Sequence, residues 1–191
     1  MKAGKLDQAI DLLNKELSIN PKNELAWNDL TVAYMNKNDM PNMKKAIDGA
    51  LALSESAVTP LSNLGQYYVR LQDWDNAILA FEKAIKANYK STGLYWPLAY
   101  AYNQKKRTAD VATAIEAFAI NGGNMDQAYQ MGIAASKNNP ALNNFLRSKQ
   151  AYFKGDGQTT FSALDLSLKA DPNYKPAKDF KAALEKARQG K

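Results

Sequence analysis

The 191-residue sequence contains neither cysteine nor histidine. Without cysteine there are no disulfides, no thiolate metal sites and no cysteine nucleophile, although this does not choose a compartment. Without histidine the chain lacks the commonest general base near neutral pH and the commonest transition-metal ligand. No apolar run approaches the roughly 20 residues that a bilayer span needs. No Gly/Ser-rich linker or low-complexity block marks a domain boundary, and no Asn opens an Asn-x-Ser/Thr sequon. The opening MKAGKLDQAI carries no apolar run of a secretory leader. Cytoplasm, bacterial periplasm and cell surface therefore stay open.

What is present is an ordinary globular composition, 46% hydrophobic and 23% charged, long enough for one or two domains or one repeat array. The formal charge is +6. From residue 172 onwards, Lys175, Lys178, Lys181, Lys186, Arg188 and Lys191 stand against only Asp179 and Glu185, so most of the excess sits at the C-terminal end and the body is nearly balanced. A solvated basic face explains this, and specific nucleic-acid binding is not expected.

A repeat of 34 residues organises the chain. It aligns Trp27, Leu61 and Tyr95, then Leu30, Leu64 and Leu98, then Tyr34, Tyr68 and Tyr102. Further along each unit it aligns Ala9, Met43, Ala77 and Val111, and Leu13, Ile47, Phe81 and Ile115. Leu61, Leu64 and Tyr68 recur at i, i+3 and i+7, and Ala77, Phe81 and Ala84 at i, i+4 and i+7, which is helical spacing. Each unit therefore reads as two antiparallel helices. Punctuation agrees: Thr59-Pro60 and Asn139-Pro140 look like N-caps followed by proline, Asp73 caps a helix from Trp74, and Pro21 and Pro172 follow helices.

Leu64-Gly65-x-x-Tyr68 followed by Ala77-x-x-x-Phe81-x-x-Ala84 resembles the tetratricopeptide repeat, whose period is 34 residues. Looser matches surround Trp27, Leu30 and Tyr34, and Tyr95, Leu98 and Tyr102. The resemblance implies an all-α, right-handed solenoid of antiparallel helix hairpins, about 11 helices in one domain over 1–191. Residues 1–22 would be the second helix of a truncated repeat, 24–57, 58–91 and 92–125 full units, 126–173 degenerate repeats and 174–191 a C-terminal capping helix. Gly132 and Ser136 stand where Leu and Tyr are expected in a first helix over 126–137. Residues 158–170 have a second helix's entry, Gly155-Asp156, and exit, Asp171-Pro172-Asn173. One orphan helix or a shifted pairing must then lie between 124 and 155.

Small residues at Gly65, Ala99, Ala50, Ala77 and Ala84 mark close backbone approach, and Tyr34, Tyr68, Tyr102 and Phe81 fill the gaps between helices. Candidate chemistry is sparse. Asp73 and Asp75 sit at a helix start and are explained by capping and the helix dipole. Lys105-Lys106-Arg107 reads as a solvated turn. Gly122-Gly123 reads as a helix stop, because neither a preceding strand nor a Gly-Lys-Ser/Thr completes a phosphate loop. No catalytic residue, metal site or cofactor is expected.

What the resemblance implies is a concave groove lined by first helices that binds a peptide or protein. Its columns fall on Asn28, Val32 and Met35, on Ser62, Gln66 and Val69, and on Trp96, Tyr100 and Asn103, with Tyr67, Arg70 and Gln104 beside them. The positions that correspond to the paired cations and amides of carboxylate-clamp modules, Asn28, Val32, Ser62, Gln66 and Trp96, supply no cation, which disfavours a co-chaperone role. Tyr67 stands in a column otherwise held by Ala33 and Ala101, so it either fills a gap or reshapes the groove beside Gln66. The expected role is a non-enzymatic adaptor or scaffold. Two alternatives stay open: a structural protein that self-associates head to tail through its repeat ends, and a glycan-binding module using Trp96 and Tyr100 beside amides.

Overall fold

A computed structural model describes residues 3–190. These form eleven α-helices and no strand: α1 (Ala3–Ile19), α2 (Glu24–Lys37), α3 (Met40–Leu53), α4 (Val58–Arg70), α5 (Trp74–Ala87), α6 (Tyr95–Gln104), α7 (Thr108–Ile120), α8 (Met125–Ala135), α9 (Pro140–Phe153), α10 (Gly157–Ala170) and α11 (Lys175–Gln189). A 3-10 turn over Thr92–Leu94 leads into α6. The helices gather into two compact units, divided within α6 between Pro97 and Leu98.

The first unit is built from hairpins α2–α3 and α4–α5, with α1 packed on α2. Its interior is what the columns predict. Met43, Ile47, Ala77, Phe81 and Ala84 are fully buried. A Cβ added at Gly65 would lie 2.4 Å from Phe81 Cε1, so the glycine lets the α4 backbone rest directly on that ring. Tyr68 is half-buried and meets Tyr67 edge to face at 5.4 Å. One cap differs from the sequence reading. The N-cap of α4 is Ala57, which has no capping side chain, and Thr59 lies inside the first turn. Pro60 is tolerated there because first-turn N–H groups have no partner in the helix.

The turn between a first and a second helix has one chemistry throughout. Asn38, Gln72 and Lys106 each have φ 57°, and Gly155 has φ 76°. After each, the next backbone N–H reaches back five residues: Asp39 to Tyr34 O, Asp73 to Tyr68 O, Arg107 to Tyr102 O and Asp156 to Ala151 O, at 2.9–3.0 Å. This satisfies carbonyls at the end of the first helix. Asp39, Asp73 and Asp156 then cap the second helix by accepting from Asn42, Asn76 and Thr159 N–H. The turn leading out of a second helix is different, with paired bonds such as Ala57 N–H to Ser54 O and Ser91 N–H to Asn88 O.

These two turns identify the pairing in the second unit. Gly155-Asp156 joins α9 to α10 by the first-to-second turn, so α9 is a first helix, and the two pack most extensively against each other. The α8–α9 turn is of the other kind, with Ser136 N–H on Gly132 O and Asn139 N–H on Ser136 O. Helix α8 is therefore the orphan, leaving as a second helix leaves. It is launched from α7 by Gly122 at φ 106°, after which Gly123 N–H bonds Phe118 O at 2.9 Å. Gly132 lets α8 slot between its neighbours, since a Cβ there would meet Ile115 Cδ1 of α7 at 2.6 Å and Leu146 Cδ1 of α9 at 3.0 Å.

Aligned on its turn, the α9–α10 hairpin puts Ser148, Thr160, Leu164 and Ser167 in the columns of Gly65, Ala77, Phe81 and Ala84. All four are fully buried. The three hydroxyls are satisfied by backbone carbonyls: Ser148 by Phe145 O at 2.6 Å, Thr160 by Asp156 O at 2.6 Å and Ser167 by Ala141 O at 2.7 Å. The tetratricopeptide pattern is thus lost in letters and kept in packing, because a bonded hydroxyl close to alanine in size is cheap to bury.

Candidate functional site

The groove columns of the first unit lie on α2 and α4. Val32 is 45% exposed, Gln66 and Arg70 are exposed, and Asn28, Met35, Ser62, Tyr67 and Val69 are half-buried. One amide atom in each of α2 and α4, Asn28 Oδ1 and Asn63 Nδ2, is buried without a hydrogen-bond partner among the described residues. Asn63, one residue after Ser62, was not singled out in the sequence because its neighbours in the repeat, Asp29 and Pro97, differ from it in type.

The α6 candidates straddle the division between units. Trp96 is half-buried and belongs to the first. In the second unit Tyr100 is 48% exposed, Asn103 is half-buried and Gln104 is exposed. The neighbouring basic turn is exposed: Lys106 holds the positive φ, while the Arg107 guanidinium lies 4.6 Å from the Tyr102 ring centre and its Nε donates to Asp110 at 2.7 Å.

Further along the second unit the same columns fall on Phe145, Lys149 and Tyr152 of α9, with Phe153 in the place of Arg70. Here the protein covers part of the set: Phe145 is buried, while Tyr152 and Phe153 are each 47% exposed. Phe145 meets Tyr174 and Phe180 of α11 edge to face at 5.8 and 6.2 Å, and Tyr152 meets Phe180 at 5.3 Å. Phe153 stacks on the buried Tyr129 of α8 at 5.7 Å. Lys149 pairs with Glu116 of α7 at 2.8 Å, its ammonium 4.1 Å from the Phe180 ring centre. Tyr174 donates to Thr108 O at 3.2 Å. Burial, with Glu116 nearby, raises the Tyr129 phenol well above its ordinary pKa. Burial likewise raises Tyr174, with its bond to Thr108 opposing.

Turning those columns inward leaves the opposite face of α9–α10 polar. Asn144, Arg147 and Ala151 stand in the columns of Leu61, Leu64 and Tyr68, which in the first unit border a cleft of about 350 Å³ with Leu51 of α3. Asn144, Arg147 and Ala151 border an open cleft of about 480 Å³ with Lys154, Thr159 and Ser162. Across α8 and α9, Asp126 accepts from Lys154 at 2.8 Å and Gln150 at 2.6 Å. The Lys154 hydrogen bond, then that of Gln150, holds the Asp126 carboxyl below its ordinary pKa.

Among the described residues, no group of three acidic side chains is placed to hold a metal ion, and no helix is long and apolar enough to cross a membrane.

Residues 58–91 match the family model described as Tetratricopeptide repeat. No curated protein is similar to the chain in sequence. Among solved structures, PilW, described as a widely conserved type IV pilus biogenesis factor, has a TM-score of 0.65 at 15% identity, covering 94% of this chain and 92% of its own. MamA has a TM-score of 0.62 at 18% identity, covering 88% and 90%. YrrB, described as a TPR protein with an unusual peptide-binding site, has a TM-score of 0.57 at 18% identity, covering 89% and 97%. At these identities the likeness is one of fold.

Proposed function

We propose that the chain, whose residues 58–91 match the tetratricopeptide repeat, works as a non-enzymatic interaction scaffold whose first unit takes an extended peptide or protein segment along α2 and α4. The observation that carries this reading is the unspent amide pair. A buried polar atom without a partner costs about 1–3 kcal/mol, and Asn28 Oδ1 and Asn63 Nδ2 are one acceptor and one donor on touching first helices. An extended backbone offers the matching N–H and C=O, with Ser62, Gln66 and Arg70 adding polar contacts and Val32, Met35 and Val69 apolar ones. That YrrB is described as having a peptide-binding site is consistent with this use of the fold.

Peptides selected from a random dodecamer display library against the whole protein test the reading. Binding of the selected peptides should fall at least tenfold with Asn63→Ala or Gln66→Ala, with circular dichroism unchanged. Trp96→Ala and Tyr100→Ala report separately whether α6, with Asn103 and Gln104, belongs to the same surface. Peptides that bind these variants and the parent equally well would overturn the assignment to α2 and α4.

A further inference from the structure

The cleft on α9–α10 and the one beside Leu61 and Leu64 lie in the same columns of two hairpins, yet their walls differ in kind. Asn144 stands in the column of Leu61, Arg147 in that of Leu64 and Ser162 in that of Leu79, so three leucines give way to polar side chains. Ala151 takes the column of Tyr68, which removes a ring from the wall, and the cleft measures about 480 Å³ against about 350 Å³. One exchange runs the other way. Leu166, 53% exposed, holds the column of Lys83 and gives the polar cleft an apolar contact.

The charges of this wall are unequally spent. Asp156 caps α10 and accepts from the Thr159 hydroxyl and from the Thr159 and Gln158 N–H groups. Lys154 is bound to Asp126 at 2.8 Å. The Arg147 guanidinium uses only Nε, which donates to the Asn143 amide oxygen at 2.9 Å, and it has no carboxylate partner among the described residues. A guanidinium offers donors and no acceptor, and its terminal nitrogens match the edge of a carboxylate in two parallel bonds. The wider field favours the same ligand. The second unit holds 14 Lys and Arg against 8 Asp and Glu and the first unit 11 of each, so the whole +6 lies on the second.

We propose that this cleft is a second binding site, separate from the groove on α2 and α4, which takes an acidic side chain of a partner protein. The carboxylate sits on Arg147, and an apolar residue beside it in the partner rests on Leu166. Charge selects a carboxylate over a phosphate. Arg147 and Lys154 are offset by Asp156 and Asp126, so a single negative charge is accommodated while a phosphate dianion or a nucleic-acid strand meets two acids.

The probe is the pentapeptide Gly-Leu-Glu-Leu-Gly, blocked at both ends and titrated into the isotopically labelled whole protein by nuclear magnetic resonance. Saturable shifts are expected at amides of α9 and α10 that border the cleft. Affinity should fall about tenfold when Gln replaces the peptide's Glu, and equally with Arg147→Gln in the protein. Arg147 is exposed, so its variant should keep the parent's circular dichroism. Gln66→Ala should leave the shifts unchanged, which separates this site from the groove. Absence of saturable shifts, equal affinity for the Gln peptide, or binding indifferent to Arg147→Gln would overturn the proposal. So would tighter binding of a phosphoserine counterpart or of a short oligonucleotide, because the cleft would then belong to phosphate.

Discussion

The candidate groove columns carry Ser62, Gln66, Val69 and Arg70 in α4 but Phe145, Lys149, Tyr152 and Phe153 in α9, and the two hairpins differ in what meets them. In the first unit Gln66 and Arg70 are exposed and Ser62 and Val69 half-buried, and the columns of Leu61, Leu64 and Tyr68 are apolar. In the second unit the aromatics of α9 meet rings of α8 and α11, with Phe145 buried and Tyr152 and Phe153 each 47% exposed, while Asn144 and Arg147 make the opposite cleft polar. The same turn and the same intra-hairpin packing thus serve either a repeat with polar residues in these columns or one whose aromatics pack partly against neighbouring helices. Which one results depends on which stripe of the first helix is apolar.

Four perturbations break or sharpen this contrast. Phe81→Ala removes a fully buried ring and leaves Gly65 without the surface it rests on. It should cost about 3–5 kcal/mol in denaturant unfolding, with hydrogen exchange showing the loss in the first unit. Phe180→Ala removes the α11 ring that covers Phe145, Tyr152 and the Lys149 ammonium. A loss of about 2 kcal/mol is expected, confined to the second unit, with α11 amides exchanging first. Should the first unit lose protection equally, the two units would not be separable in stability.

Tyr174→Phe deletes one bond, to Thr108 O, while keeping the ring against Phe145. A loss of about 1 kcal/mol in urea unfolding is expected. The smallest effect is that of acid on the α8–α9 contact. The Asp126 carboxyl is lowered by Lys154 and then Gln150, so its contribution is present above its ordinary value of pH 3.8 and is lost as pH falls through the depressed value in the fold. Asp126→Asn should abolish this acid dependence in a pH series of thermal melts, with little change at pH 7, because the pair is exposed.

Much of the fold was legible in the sequence because it is local. The 34-residue spacing places the starts of α3, α5 and α7 at Met40, Trp74 and Thr108, and Gly155-Asp156 announces the turn into α10. The packing columns hold at Met43, Ile47, Phe81 and Ile115. The pairing after residue 124 was narrowed to an orphan or a shift but not assigned, since α8 keeps the helix spacing and only its turns show that it is extra. Thr59-Pro60 suits a cap, yet α4 begins two residues earlier, with Ala57 at its N-cap. The candidate groove residues were named from columns alone, which do not reveal that Asn63 has an unspent donor.

The sequence by itself determined the helices, their turns and the small-against-large packing within each hairpin, because these depend on residues a few positions apart or one repeat apart. Only the tertiary structure decided that α8 is the inserted helix and that α11 packs Tyr174 and Phe180 against Phe145. Burial of an apolar stripe is favourable against any matching surface, so its partner is chosen by where distant helices arrive in space and not by the stripe itself.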